Sequence, residues 1–164
     1  MLRSDERGIK MNVVPASEID IDELCDMWKE LQDYHKGMNL YTPESEEWRT
    51  YKKKEIQLLL QSENSKIFLV KGSNEILGYV RGVVQNVSPV FKVGKIGRIE
   101  EMFVKKEFRR QGIGNLLIHS IKQWFKEKMV ERIDIQVGNE NISGKLFWEN
   151  EEFKTNSIKM TYNL

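Results

Sequence analysis

The chain has 164 residues, of which 40% are hydrophobic and 31% are charged. This length and composition predict one soluble globular domain and exclude a disordered tail or a fibre. Lys and Arg total 26 against 25 for Asp and Glu, giving a formal net charge of +1, which argues against a protein that coats nucleic acid or an anionic membrane. With one cysteine and two histidines, a disulfide framework or a Cys/His metal site has almost no ligands, so we expect no metal.

The single cysteine, Cys25, cannot form an intramolecular disulfide and favours a reducing compartment, so a cytoplasmic protein is predicted. No apolar run approaches the ~20 residues that span a bilayer. The charged segment 1–7 is not followed by the apolar stretch of a signal peptide. No linker rich in Pro, Gly or Ser divides the chain. We therefore expect residues 1–8 to form a flexible leader and residues 9–164 to form a single domain.

In chain order, the predicted elements mix strands and helices. Strand patterns cover 9–14, 66–71, 76–87, 95–104 and 132–137, helical patterns cover 20–36, 44–62, 112–128 and 142–150, and Phe153 with Ile158–Tyr162 is expected to end the chain as a hairpin. Antiparallel hairpins come first, and one strand–helix–strand crossover lies in the middle. The fold class predicted is therefore α/β (α+β) with a mixed sheet.

The most informative stretch, Ile99–Asn115, is a strand, a short basic loop and two glycines that open an amphipathic helix. Backbone N–H groups at a helix N-terminus lack partners and carry the positive end of the helix dipole. Gly112 and Gly114 let a phosphate approach that backbone, and Arg109 and Arg110 add positive charge. These features predict a pyrophosphate cradle; the alternative is a helix that merely begins with glycine after a charged turn. Neither a P-loop nor a three-glycine dinucleotide fingerprint is present.

Several motifs in this order resemble those of the GNAT superfamily of N-acetyltransferases. Residues 109–114 read Arg-x-x-Gly-x-Gly, within the Arg/Gln-x-x-Gly-x-Gly/Ala pattern of that family, and the preceding Glu-Glu-Met-Phe-Val is similar to its central strand. Farther along, Asn141 and Phe153 keep the family's interval from Asn to Phe. The resemblance covers residues 9–164 in element order and 97–153 at the level of motifs.

The resemblance implies a GNAT-like, mostly antiparallel central sheet of six to seven strands, flanked by about four helices, with a splayed central strand pair. It implies acetyl-coenzyme A (acetyl-CoA) as the donor co-substrate. The residues implied to bind this donor are Met102, Phe103, Val104, Arg109, Arg110, Gln111, Gly112, Ile113, Gly114, Asn115, Asn141 and Lys145. The backbone N–H of Met102 is implied to polarise the thioester carbonyl.

Transfer to an amine requires a base, because an ammonium ion at pH 7 has no lone pair. Glu100 and Glu101 are adjacent on the strand, so strict alternation puts them on opposite faces and puts Glu100 on the face of Met102. The resemblance implies a carboxylate near the acceptor, which makes Glu100 the first candidate for the catalytic base and Glu101 the second. The alternative is that both only balance nearby Lys and Arg.

The chain departs from the family's pattern at two positions. Trp148 stands where the family has the tyrosine that protonates the departing thiolate, and an indole N–H is not a usable proton source. A water, another tyrosine or unassisted departure would then serve, since a thiol pKa of ~8.5 tolerates unassisted departure. Glu152 replaces a glycine and predicts an altered turn. Tyr41 and Trp148 are the candidates to contact the acceptor.

The function predicted is direct transfer of an acetyl group from acetyl-CoA to a primary amine. The acceptor is a small cationic amine, resembling a polyamine or an aminoglycoside, or a lysine or N-terminal amine of a peptide. Carboxylates that favour a cationic acceptor, unless they are only solvated helix faces, are Asp33, Glu44, Glu46, Glu47, Glu100, Glu101, Glu151 and Glu152. No nucleic-acid or membrane partner is expected. The alternatives are a non-catalytic acyl-CoA-binding module or sensor, and an interaction domain that forms a homodimer through its last strand.

Overall fold

The computed structural model describes residues 2–4, 10–35, 45–73 and 75–162. Its sheet has the strand order β1-β2-β3-β4-β5-β6, and only the β5–β6 pair is parallel. The strands are β1 (Leu2–Ser4), β2 (Lys10–Pro15), β3 (Ser65–Lys71), β4 (Ile76–Asn86), β5 (Lys95–Val104) and β6 (Arg132–Ile135). The helices are α1 (Ile21–Tyr34), α2 (Trp48–Gln61), α3 (Ile113–Glu127) and α4 (Ile142–Asn150). The predicted fold class, a mixed and mostly antiparallel sheet with four helices, is confirmed.

Both ends of the chain differ from the prediction. Leu2–Ser4, expected within a flexible leader, pairs antiparallel with β2. The final hairpin is absent from the described residues: the segment 153–162 is irregular, and Ile158 and Tyr162 are both 86% exposed. A strand needs a partner as well as an alternating sequence, and local alternation does not supply one. The sheet therefore has five strands of four or more residues, not six to seven, with the three-residue β1 at its edge.

Helix α3 covers one face of the sheet because its apolar residues recur at helical spacing. Its buried side chains are Ile113, Leu117, Ile118, Ile121, Trp124 and Phe125. The Phe125 ring fits against the sheet at Gly82 and Gly97, where an added Cβ would lie 2.8 Å from the ring. Two glycines on neighbouring strands thus bring the helix close to the sheet.

Helices α1 and α2 cover the opposite face. Leu24, Met27 and Leu31 of α1 recur three and four residues apart and are buried against the sheet. Ile56 of α2 and Phe103 of β5 belong to the same cluster. None of the helices in the described ranges is long and apolar enough to cross a membrane.

Candidate active site

Strand β5 extends beyond the end of its pairing with β6. The parallel ladder joins Ile96–Ile99 to Arg132–Ile135, whereas the antiparallel ladder with β4 continues to Val104. From Glu100 onward, the side of β5 that faces away from β4 has no paired strand in the described structure. This open edge is the predicted splay of the central strand pair.

Residues 105–112, with a short 3-10 helix at Lys106–Phe108, connect the open edge to the N-terminus of α3. Gly112, the residue before the helix, is in the left-handed conformation with φ +78°, and no acidic residue lies in the first turn. The N–H groups of Ile113, Gly114 and Asn115 precede that of Leu116, which donates the first hydrogen bond of the helix to the carbonyl of Gly112 at 3.1 Å. None of the three donates a hydrogen bond within the described part of the chain. A Cβ on Gly112 would meet nothing within 4 Å, so an anion has room to approach these donors.

Gly114 allows close packing between elements and does not leave open space for a ligand. A Cβ there would lie 2.9 Å from Cε2 of Phe147 and 3.2 Å from Cε of Met102. The missing side chain thus lets α4, α3 and β5 meet at one point. The two glycines of the motif have different physical roles, because Gly112 supplies a backbone conformation and Gly114 supplies a close contact.

The arginines of the loop are held differently. Nε of Arg109 donates to the carbonyl of Val104 at 2.9 Å, and its guanidinium lies over the rings of Tyr34 (5.1 Å) and Phe103 (5.8 Å). Arg110 is exposed and has φ +62°. Arg109 is therefore fixed at the end of β5, and the exposed Arg110 extends the positive charge of the loop into solvent.

The remaining predicted donor-binding residues surround this point. Gln111 donates to the carbonyl of Glu107 at 3.2 Å, and Nδ2 of Asn115 donates to Glu151 at 3.1 Å. The side chain of Ile113 is 1% exposed, so only its backbone is available to a ligand.

Across the splay, Asn141 caps helix α4. Its Oδ1 accepts from the N–H of Gly144 at 2.9 Å and from Oγ of Ser143 at 3.3 Å. This leaves the amide Nδ2 of Asn141 for a ligand, because no described residue accepts from it. Lys145 is 59% exposed and lies 3.9 Å from Glu149, which keeps its ammonium near solvent.

The two glutamates occupy unlike environments. Glu101 is 13% exposed, and its Oε1 accepts from Nζ of Lys52 and Nη2 of Arg81, each at 3.2 Å. Its Oε2 accepts from the hydroxyl of Tyr79 at 3.2 Å. Trp28 covers the ammonium of Lys52, 4.6 Å from the ring centre. Complete burial, reinforced by the charge of Glu101, raises the pKa of Tyr79 well above its usual value, so the phenol remains a hydrogen-bond donor.

Glu100 lies at a β-bulge. The register between β4 and β5 shifts opposite this residue, so that Arg81 pairs with Glu101 but Gly82 pairs with Ile99. Ile99 and Met102 are three positions apart, so strict alternation would place them on opposite faces of the sheet. Both nevertheless pack on the face that α3 covers. The strict alternation expected here is therefore wrong, because the extra residue reverses the faces. The side chain of Glu100 is 31% exposed, and its carboxylate lies 3.6 Å from Nε of Arg98.

Of the two predicted acceptor contacts, the structure describes only Trp148. Trp148 is 8% exposed and packs edge-on against Phe147 (5.1 Å) and Phe153 (5.2 Å), so it is a core residue with little surface for a ligand. Tyr41 lies outside the described residues, as does Glu44. Other predicted acidic residues are paired: Asp33 with Lys29, Glu47 with Tyr51, and Glu151 with Lys122.

The two cations around Glu101, Lys52 and Arg81, were not among the predicted site residues. A signal for Lys52 exists, because Trp48, Lys52 and Ile56 recur every fourth residue and share one face of α2. Lys52 is 5% exposed, which identifies that face as buried. No comparable signal marks Arg81, which stands in an apolar strand. In the described segments, no three His, Cys, Asp or Glu side chains are grouped to hold a metal ion.

Comparison with known proteins decides the family. A family model described as the acetyltransferase (GNAT) family matches residues 26–150. The chain belongs to the GNAT family of acetyltransferases. It is therefore an acyltransferase of the N-acetyltransferase type. This GNAT chain is 24% identical over 136 residues to an uncharacterized N-acetyltransferase of Archaeoglobus fulgidus, covering 82% of this chain and 89% of the relative.

Solved structures share the fold. A point mutant of the BH1408 protein from Bacillus halodurans has a TM-score of 0.81 at 20% identity, covering 93% of this chain and 99% of the other. An aminoglycoside N-acetyltransferase, AAC(6')-Iy, solved in complex with CoA, has a TM-score of 0.79 at 14% identity, covering 97% of both chains. A metagenomic aminoglycoside acetyltransferase in complex with sisomicin has a TM-score of 0.71 at 19% identity, covering 94% of this chain and 96% of the other.

Proposed function

We propose that this GNAT chain transfers an acetyl group from acetyl-CoA to a primary amine by direct attack of the amine on the thioester. One observation carries the proposal: the unpaired edge of β5 lies beside the open N-terminus of α3, where a Cβ on Gly114 would be 3.2 Å from Cε of Met102. An unpaired strand edge can form hydrogen bonds with the amide groups of the pantetheine arm of acetyl-CoA, and a helix N-terminus can bind its pyrophosphate. The similar structures that contain CoA, sisomicin or a CoA–acetylneamine bisubstrate analogue support this choice of donor and acceptor class.

The residues that hold the donor follow from this geometry. The N–H groups of Ile113–Asn115, with Arg109 and Arg110, bind the pyrophosphate, and Gln111 and Gly112 shape the loop. The segment Met102–Val104 contacts the pantetheine arm of acetyl-CoA from one side of the splay, and the amide of Asn141 contacts it from the other side. Lys145 lies toward the nucleotide end of acetyl-CoA. When bound, acetyl-CoA supplies an activated acyl group; the protein binds and orients it.

Glu100 is the proposed base for the acceptor. The carboxylate of Glu101 already accepts from Lys52, Arg81 and Tyr79, so it has little capacity left for an acceptor proton. Glu100 is more exposed and lies where the pairing of β5 with β6 has ended. We propose that it removes the proton of the ammonium ion directly or through one water, which leaves the nitrogen lone pair free to attack.

The test is thiol release from acetyl-CoA with a panel of polyamines, aminoglycosides and lysine peptides. Wild-type protein should release thiol with at least one amine, and Glu100→Gln should lower the turnover by about 10²-fold or more. Glu63→Gln, in the turn after α2, is the matched control and should behave as wild type. Binding of CoA without release for any amine would favour the sensor alternative, and failure to bind CoA would refute both.

The cytoplasmic location and the homodimer stay predictions. For the homodimer, the alternating residues Ile158, Met160 and Tyr162 are each at least 86% exposed, and β6 ends the sheet in the described structure. Light scattering of the purified chain measures the mass directly. A monomer mass at all concentrations would contradict the dimer.

A further inference from the structure

Arg109 is held without a carboxylate partner in the described part of the chain. Its one hydrogen bond there runs from Nε to the carbonyl of Val104, at 2.9 Å. By contrast, ion pairs with carboxylates hold four other arginines, namely Arg49, Arg81, Arg98 and Arg132. The guanidinium of Arg109 is therefore fixed in place while no described carboxylate neutralises its charge.

Two aromatic rings contact this guanidinium. Cζ of Arg109 lies 5.1 Å from the centre of the Tyr34 ring and 5.8 Å from the centre of the Phe103 ring. Phe103 belongs to β5 and is buried in the core beneath α1 and α2, whereas Tyr34 is the part-exposed last residue of α1. A cation within ~6 Å of a ring centre is attracted to the face of the ring. The rings thus hold the guanidinium without cancelling its charge.

The Tyr34 ring is itself held in place. Its hydroxyl lies 3.4 Å from Oγ of Ser143, in the first turn of α4. Oγ of Ser143 in turn donates to Oδ1 of Asn141 at 3.3 Å. The last residue of α1 therefore contacts both the loop after β5 and the start of α4, and moving the ring away from Arg109 would break the contact with Ser143.

The position of Arg109 makes this support relevant to ligand binding. Arg109 lies three positions before Gly112, and no acidic residue stands in the first turn of α3. A long side chain that is mobile in the free protein loses conformational freedom when it binds an anion. A guanidinium that is already held loses less, so the anion binds more tightly.

We propose that Tyr34 is a positioning residue for the donor, because its ring holds the guanidinium of Arg109 beside the N-terminus of α3. The inference rests on the proposed donor site, in which Arg109 binds the pyrophosphate of acetyl-CoA. Helix α1 covers the face of the sheet opposite α3, so this contact makes an element from the far face contribute to donor binding.

The experiment is calorimetric titration of CoA into wild type, Tyr34→Leu, Tyr34→Phe and Tyr51→Leu. Removing the ring in Tyr34→Leu should raise the Kd for CoA about 5-fold, because Arg109 must then be ordered on binding. Tyr34→Phe keeps the ring and should stay within about 2-fold of wild type. Tyr51→Leu removes a ring that is 61% exposed on α2 and should bind CoA as wild type does.

A double-mutant cycle with Arg109→Met separates positioning from direct contact with the donor. In the Arg109→Met background, Tyr34→Leu should change the Kd by less than about 2-fold, because the side chain that it positions is gone. Thermal unfolding of each variant measures any general loss of structure. Tyr34 is 41% exposed at a helix end, so its variants should unfold close to the wild-type temperature.

The outcomes distinguish this inference from the proposed function. An unchanged Kd in Tyr34→Leu overturns the role of Tyr34, as does an equal loss of affinity in both backgrounds. A Tyr34→Phe variant as weak as Tyr34→Leu also overturns it, since the hydroxyl and not the ring would then matter. A wild type that does not bind CoA overturns both proposals. A wild type that shows the coupling but releases no thiol with any amine upholds this inference and contradicts acetyl transfer alone.

Discussion

Replacing Gly112 by aspartate tests the phosphate cradle, and asparagine at the same position is the matched control. Both side chains have nearly the same shape and both tolerate the left-handed backbone better than other residues. The site has φ +78° and open space, since a Cβ there meets nothing within 4 Å. Each variant should therefore lose only ~1–2 kcal/mol of folding free energy, from backbone strain. The charge is the one feature that separates Gly112→Asp from Gly112→Asn.

The charge difference sets the expected loss of affinity. A carboxylate ~4 Å from one phosphate charge costs about 1 kcal/mol in water, and more at a lower effective dielectric constant. Two charges on a pyrophosphate give at least about 2 kcal/mol, which is ~30-fold in Kd. The gap between the variants should narrow as salt is added, because exposed charges are screened.

Calorimetric titration of CoA into the three proteins, at low and high salt, measures this difference. Thermal unfolding of the same samples shows whether both variants are folded to the same extent. If Gly112→Asp and Gly112→Asn bind CoA equally at low salt, the pyrophosphate does not lie at the start of α3 and the reasoning is refuted.

Three further predictions concern stability. Glu101→Gln removes the carboxylate charge that faces Arg81 and leaves Lys52 with Glu55 alone. It should cost about 3 kcal/mol in urea unfolding, the lower end for a broken buried ion pair, and a cost below ~1 kcal/mol would contradict the ion cluster. Gly97→Ala should lower the free energy of unfolding by about 1–3 kcal/mol, because its Cβ would lie 2.8 Å from the Phe125 ring. Adding Phe125→Leu to this variant should recover part of that loss. If nothing is recovered, the contact with Phe125 is not the cause of the loss. Burial raises the pKa of Asp20, but hydrogen bonds, above all from Lys71, outweigh it and lower the pKa overall. The ionised Asp20 therefore stabilises the fold above the unfolded pKa of ~3.9, and this stabilisation is lost as the pH falls through the lower folded pKa. Asp20→Asn should reduce the fall in the free energy of unfolding at acid pH. An unchanged fall would contradict the pairing of Asp20 with Lys71.

The strand, loop and helix from Ile99 to Asn115 could be predicted because their determinants are local. A β-rich run, adjacent arginines and spaced glycines specify a strand that ends at a helix N-terminus without help from distant residues. The bulge at Glu100 could not be predicted. It depends on the register of β4 at Arg81 and Gly82, and pairing between separate strands is not encoded in either strand alone.

Other parts of the site depend on tertiary contacts. Tyr34 contacts Ser143, 109 positions away, and no local pattern indicates that distance. Trp148 kept the interval of a functional residue, but spacing does not reveal which face of a short helix is buried. The final hairpin was expected from alternation at Ile158–Tyr162, which the structure leaves exposed.

The most direct measurement is mass spectrometry of the amine panel after incubation with acetyl-CoA and the purified protein. Wild type should add one acetyl group to at least one primary amine, with one free CoA formed for each amide. At subsaturating donor, Gly112→Asp should lower this activity ~30-fold, in line with its expected loss of CoA affinity, while Gly112→Asn keeps most of it. If the wild-type protein binds CoA but acetylates no amine of the panel, acetyl transfer is contradicted as the function of this chain.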